Sequence, residues 1–435
     1  MNHRRTLPRL LAAAAVLAAG SLSLSGCAGG AGSSGPVTLT MWLNGDCPKS
    51  NCVEAPLIAG FEKANPKIKI KLVSQPISSY FQALKSASVT HRGPDIANMW
   101  PGGYMTPFLR YMANLNDFVP KSDIKQSTST KYYAVNNDVA KAVYAVPTGD
   151  QWYVGFYNKK LLADNGISAP PQTWDELSAD CKTLKSKGVL PIVNGAEYGA
   201  STMGPLPEFS YIASTLSPAD WSGLYKGTVK YSDPRLQSQL QKWADLYKAG
   251  CLNKDAFNFP DPESKFEAGK AAMFLASGSW EVGNLTTKMG SNVGLLVPPY
   301  SPTPQHTLVE TAGSAYAVMN YSKHEAEAGK FAAYILSDAG QKIIAKFGLP
   351  PTRPGFKTTN PLMNQLSAMS ADPATQLYPM FDNYTQPGVT NALTSKLPQA
   401  LVGQVPVSQA LGAVDAAFAA LPSSQKNVNV NLARK

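Results

Sequence analysis

The sequence predicts an α/β protein with two domains, and three observations say so. Strand-like and helix-like segments alternate along the chain. About 400 residues remain once a removable N-terminal segment is set aside, more than one core comfortably serves. The apolar and charged fractions, 44% and 16%, are those of an ordinary folded domain protein.

The first segment is an address. Arg4, Arg5 and Arg9 form a basic region, "LLAAAAVLAA" is a short apolar run, and "LSLSGC" ends it. As a membrane anchor this run is too short and too rich in small residues. "LSGC" resembles the lipobox of bacterial lipoproteins, which implies a signal peptide over residues 1–26, a lipid on Cys27 and a flexible tether over 27–36. "VTLTMWL" (37–43) reads as a strand, "VEAPLIAGFEKAN" (53–65) as a helix with Leu57, Ile58, Phe61 and Ala64 on one face, and "IKIKLV" (68–73) as an alternating strand. "ISSYFQALKSASV" is helical and "DIANMW" (95–100) is a third strand. This β-α-β-α-β order opens a doubly wound sheet.

Further on, residues 173–188 predict a helix with Thr173 as N-cap, Glu176 closing a capping box and Gly188 as the stop. Residues 233–250 repeat the plan with Asp233, Pro234 and Gly250. "AAMFLAS" is a strand before the helix "WEVGNLTTKM", and "SAYAVMN" is another strand. The helix over 322–336 is expected to be capped by Ser322 with Glu325 three residues on. The last helix is "VSQALGAVDAAFAAL".

Cutting before Cys27 removes three arginines, leaving 36 basic against 29 acidic residues, a net charge of +7. The positive charge is not clustered into a stripe, and export argues against a nucleic-acid partner. Four cysteines remain for an oxidising compartment: Cys47, Cys52, Cys181 and Cys251. Three pairings are open. Cys47–Cys52 is the most local, which leaves Cys181–Cys251 to tie two helices. A zinc site is the competing reading, but the spacing is not a CxxC pair and no histidine sits nearby at ligand spacing. No metal and no cofactor are expected.

Catalytic signatures are absent: there is no GxSxG, HExxH, GxxxxGK[ST] or strand-linked GxGxxG. A glycosidase-like carboxylate pair stays open, though nothing points to one. What recurs is an aromatic or short polar cluster where a strand ends. Asn44 and Asp46 follow "MWL", Trp100 follows "DIANM", Asp150, Gln151 and Trp152 follow "VYAVPTG", and Trp280 and Glu281 follow "MFLASGS". Ligands of open α/β sheets bind outside the carboxyl ends of strands. Aromatic faces with carboxylates and amides suit a sugar, whose C–H face stacks on a ring while its hydroxyls bond polar groups. Each lone tryptophan has core packing as its ordinary alternative, and each lone carboxylate a cap or a solvated surface.

On these motifs the chain resembles a family 1 extracellular solute-binding protein of a carbohydrate ABC importer, similar to maltodextrin-binding proteins. The resemblance is carried by "YNKKLLADNGISAPPQTWDELSADCKTLKSKGVLPI" (157–192), "AAMFLASGSWEVGNL" (271–285) and "SAYAVMNYSKHEAEAGKFAAYILSDAGQKIIAKFGLPPTR" (314–353). It implies two discontinuous α/β lobes joined by a hinge, of the type II periplasmic-binding-protein kind. Lobe one would hold 37–152 and 312–345, lobe two 158–308 and 346–435, with crossovers at 153–157 and 309–311. Asn44 and Asp46 would meet sugar hydroxyls, Trp100 and Trp280 would stack, and Glu197 and Tyr198 would add an acid and a ring. Gln151 stands where the family has a hinge-side carboxylate, so that bond is lost or moved to Asp150. Nothing in 354–400 carries over.

The resemblance implies a monomeric receptor that binds an oligosaccharide without transforming it. It would be anchored by lipid outside the cytoplasmic membrane of a Gram-positive-type envelope and would hand its ligand to ABC permease subunits. The rival readings are a receptor for a polyamine or amino-acid-like solute and an exported glycosidase.

Overall fold

The computed structural model describes residues 35–47, 52–134, 138–195, 205–257, 259 and 261–426. Cys27 and the rest of the N-terminal segment through residue 34 lie outside the described residues, as do Glu197 and Tyr198.

The first strand, β1 (Val37–Asn44), alternates: Leu39, Met41 and Leu43 are buried while their neighbours are partly exposed. β2 (Ile68–Gln75) turns Ile68 and Ile70 inward and Lys69 and Lys71 outward, which suits an edge strand. β3 (Ile96–Met99) is buried at every position, as a strand covered on both faces must be. With β4 (Val146–Pro147) and β11 (Ala315–Val318) these form a five-stranded sheet in the order β2-β1-β3-β11-β4. β1 runs parallel to β2 and β3, whereas β11 runs antiparallel.

Helices Glu54–Ala64, Glu325–Leu336 and Asp338–Phe347 cover one face of this sheet. Leu57 and Phe61 are fully buried there, each stabilising by roughly 2 kcal/mol. Ile58 is half-buried and Ala64 exposed, so the apolar stripe is narrower than expected. Helix Tyr80–Thr90 and its neighbours cover the other face.

A second sheet has the order β7-β8-β6-β9. Its strands are β6 (Gly155–Asn158), β7 (Ile192–Val193), β8 (Met273–Phe274) and β9 (Val293–Leu296). A third sheet lies between the two along the chain: β12-β10-β5, from β5 (Asp150–Tyr153), β10 (Thr307–Ala312) and β12 (Gln376–Pro379). β5 carries the chain from the five-stranded sheet towards the four-stranded one, and β10, its antiparallel partner, brings it back. Each outer sheet is thus built on its own core. The five-stranded one draws on two separate stretches of sequence.

Helix ends show where local signals hold. Thr173 caps Trp174–Ser186 by accepting from Glu176 N at 3.3 Å. Glu176 reaches one residue further back than expected, to Gln172 N at 2.6 Å. Asp233 caps Pro234–Lys248. The helix expected from Ser322 starts instead at Glu325 and has no side-chain cap. Ser322 donates to Asp95 Oδ1 at 2.5 Å and accepts from His324 N at 3.0 Å, so it is spent in the turn before the helix.

The disulfides are Cys47–Cys52 and Cys181–Cys251, with Cα separations of 4.9 and 5.6 Å. Both sulfurs of the first lie within 4.8 Å of a Glu54 carboxylate oxygen, but they are bonded to each other. No helix among the described residues is long and apolar enough to cross a membrane.

Candidate functional site

β1 and β3 are neighbours in register, with Met41 opposite Ile96, so their ends release Asn44 and Trp100 side by side. Gly45 follows with φ of +102° and bonds back to Gln75 O. Both polar atoms of the Asn44 amide are buried without a partner among the described residues. Asp46 is exposed. Trp100 is half-buried and meets Phe81 and Tyr104 edge-on, at centroid distances of 5.4 and 5.0 Å.

Trp280 stands in the 3₁₀ turn Ser279–Glu281. Its indole lies over Gly278, where any Cβ would overlap the ring, which is why the turn carries glycine. The half-buried ring meets Tyr153 edge-on at 5.8 Å. Tyr153 is fixed at both ends: its carbonyl accepts from Tyr211 Oη at 2.6 Å and its hydroxyl donates to Asp382 Oδ1 at 2.8 Å.

Asp150, Gln151 and Trp152 occupy β5, and a strand sends alternate side chains to opposite faces. Tyr153 faces Trp280, so Gln151 shares that face and Asp150 and Trp152 take the other. Asp150 accordingly accepts from Thr128 Oγ1 at 3.0 and 3.2 Å. Trp152 is 1% exposed and sits in the apolar cluster of Phe156, Phe274, Leu308 and Met363. Of the three residues expected at the ligand, Gln151 thus shares the face of Tyr153, Asp150 is engaged by Thr128, and Trp152 is buried in apolar surroundings.

Glu281 is also deeply buried. It is 5% exposed, and its carboxyl lies beside Glu263, Glu267 and the Trp280 side chain. Burial, and then the two neighbouring carboxylates, hold its carboxyl far above the usual range, so it keeps its proton. Glu263 and Glu267 both accept from Asn284 Nδ2.

Other residues at the site carried no sequence signal. The short helix Phe381–Tyr384 lies in the stretch that the resemblance left blank. Gly103 N donates to Asn383 O at 2.6 Å, and Asn383 Nδ2 donates to Thr311 Oγ1 at 2.7 Å. This helix therefore joins the loop after Trp100 to the crossover strand β10. Tyr384 Oη and Asp382 Oδ2 are buried without partners among the described residues. Glu208 is 1% exposed, its Oε1 accepting from Asn194 Nδ2 at 2.6 Å while Oε2 has no partner among the described residues. Burial pushes its carboxyl up to about 7.

The described residues thus include two aromatic groups, one around Trp100 and one around Trp280, and buried amide, hydroxyl and carboxylate atoms without partners. The profile of the family described as bacterial extracellular solute-binding protein matches residues 53–342. The galactooligosaccharide-binding protein of Bacillus subtilis is 26% identical over 335 residues, covering 75% of this chain and 76% of its own. The diacetylchitobiose binding protein DasA of Streptomyces coelicolor is 27% identical over 395 residues, covering 85% and 87%. Among solved structures, a chitin oligosaccharide binding protein superposes with a TM-score of 0.71 at 20% identity, over 88% of this chain and 98% of its own. The binding protein RafE in complex with raffinose gives 0.71 at 20% identity, over 90% and 100%.

Proposed function

Because the chain belongs to the family of bacterial extracellular solute-binding proteins, we propose that it is the receptor of an ABC importer and that its solute is a neutral oligosaccharide. The observation that carries this reading is the presence of two half-buried aromatic groups, around Trp100 and around Trp280, together with buried polar atoms that have no partner among the described residues. A pyranose stacked on the half-buried Trp280 ring would present its hydroxyls to such atoms, and buried polar groups are otherwise rarely left unpaired. A cationic solute would need several carboxylates at this point. Gln151 is an amide and Asp150 is turned to Thr128, which favours an uncharged ligand. The names of the relatives, which bind galacto- and chito-oligosaccharides, support the same class.

The family is one of binding proteins and not enzymes, and the ligand would leave unchanged. Asn44, Asp46, Trp100 and Gln151 on the first lobe, and Trp280 across the cleft, would hold it, with Glu197 and Tyr198 as further contacts. The crossovers at 153–157 and 309–311 would act as the hinge. A lipid on Cys27 would keep this monomer at the outer face of the cytoplasmic membrane, beside its permease subunits.

Isothermal titration against galactooligosaccharide, diacetylchitobiose, raffinose and maltotetraose tests the reading. We expect micromolar or tighter binding to at least one of them, with no product on chromatography. Silence across the panel would defeat it. Trp280→Ala should weaken that binding by at least tenfold, the loss of a stacked anchor being worth roughly 1.5–3 kcal/mol.

A further inference from the structure

On strand β5 this chain has the amide Gln151, and Asp150 beside it is engaged by Thr128. A cleft without a charged acceptor here would hold its ligand less firmly, since hydrogen bonds to ionised groups are about twice as strong as neutral ones.

Asp382 is 2% exposed. One oxygen accepts from Tyr153 Oη at 2.8 Å; the other is buried without a partner among the described residues. A buried carboxylate oxygen left bare is destabilising unless something fills the place. Its surroundings say what that is. The Tyr153 ring that Asp382 holds stands edge-on to Trp280 at 5.8 Å. The next residue, Asn383, bonds Thr311, and Thr311 lies directly across the strand pair from Gln151, on the same face. Asp382 is thus one residue from the side chain that shares Gln151's face and one ring from the stacking tryptophan.

We propose that Asp382 is the charged hydroxyl acceptor of the cleft, taking from the helix Phe381–Tyr384 the role that a carboxylate at position 151 would fill, for the sugar ring stacked on Trp280. This rests on the oligosaccharide-receptor reading above. It assigns a ligand contact to a stretch in which no sequence motif pointed to one. Burial raises the Asp382 carboxyl to about 6 while the Tyr153 hydroxyl pulls it down, so it is ionised at neutral pH.

Asp382→Asn tests this, because the amide carbonyl still accepts from Tyr153 while an N–H₂ donor replaces the free oxygen. The probe is whichever of galactooligosaccharide, diacetylchitobiose, raffinose or maltotetraose the wild-type chain binds. D382N should lose at least tenfold in affinity with an unchanged or raised unfolding midpoint, while Asp175→Asn, at an exposed position on the helix Trp174–Ser186, loses less than threefold. Adding Gln151→Glu to D382N restores a carboxylate on the neighbouring strand and should recover part of the loss. D382N with wild-type affinity overturns the assignment. So does a loss that Q151E leaves untouched, because it marks a folding defect and not a missing acceptor. A wild-type chain silent to every sugar removes the receptor reading itself, and this inference with it.

Discussion

Glu208 keeps a carboxyl group where burial opposes its charge more than its hydrogen bonds, from Asn194 and from its own backbone, support it. Its pKa in the folded chain, about 7, lies above the ordinary 4.5. Below about pH 4.5 both folded and unfolded chains hold the proton and the folded state has its full advantage. Between 4.5 and 7 the unfolded chain has released the proton and the folded one has not, so stability falls as pH rises through that window and is level above it. Glu208→Gln should remove this slope and leave the ligand-free chain more stable at pH 8 by roughly 2–3 kcal/mol. Denaturant titrations at pH 4.5 and 8 would show it, and equal slopes in both chains would refute it. Such a residue is invisible in the sequence, where Glu208 is one carboxylate among many. The triplet Asp150-Gln151-Trp152 shows the same limit from the other side. Its residue types announced a ligand loop, but which of them faces the ligand depends on strand parity, and parity is set by partners more than a hundred residues away. Asp382 was illegible for the same reason: only its contact with Tyr153 gives it a place.

Elements were more legible than residues, because a helix or strand advertises itself through many positions at once. The apolar periodicities located β1, β2, β3 and the helices Glu54–Ala64, Trp174–Ser186 and Pro234–Lys248. What failed was finer: Ser322 looked like a cap, yet Asp95, far away in sequence, recruits its hydroxyl. The two disulfides act at this scale and should act differently. Cys181–Cys251 closes a loop of 70 residues between the helix Trp174–Ser186 and the end of Pro234–Lys248. Chain entropy assigns such a closure about 4 kcal/mol, against about 2 for the five-residue Cys47–Cys52 loop. Replacing Cys181 and Cys251 by alanine should lower the unfolding midpoint substantially and leave sugar affinity within twofold. Replacing Cys47 and Cys52 should lower the midpoint less but weaken binding several-fold, because that bridge borders the loop carrying Asn44 and Asp46. Calorimetry and titration on both pairs decide it, and the opposite pattern would sink the argument.

At the scale of the whole molecule, the question is how two separately cored sheets respond to a guest. β5 and β10 are the passages between them, and the bond from Gly103 N to Asn383 O ties the loop after Trp100 to the helix Phe381–Tyr384. That tie is weak in net terms, about 1 kcal/mol, since water replaces it when it breaks. In the proposed receptor an open form would therefore be within easy reach, and a sugar touching both sides would shift the balance by its preference for the closed one. Gly102 sits at the contact with φ of +64°, its Cα against the Asn383 carbonyl so closely that any Cβ would overlap that oxygen. Gly102→Ala is thus a wedge acting mainly on the closed form, beyond the roughly 1 kcal/mol of backbone strain common to both. In small-angle scattering the wild-type chain should contract on adding saturating sugar. The G102A chain should contract less and bind at least tenfold more weakly, because the apparent affinity is reduced by the fraction able to close. A wild-type chain whose radius of gyration ignores the sugar, or a G102A chain that binds and contracts as the wild type does, would show that closure at this contact is not what holds the ligand.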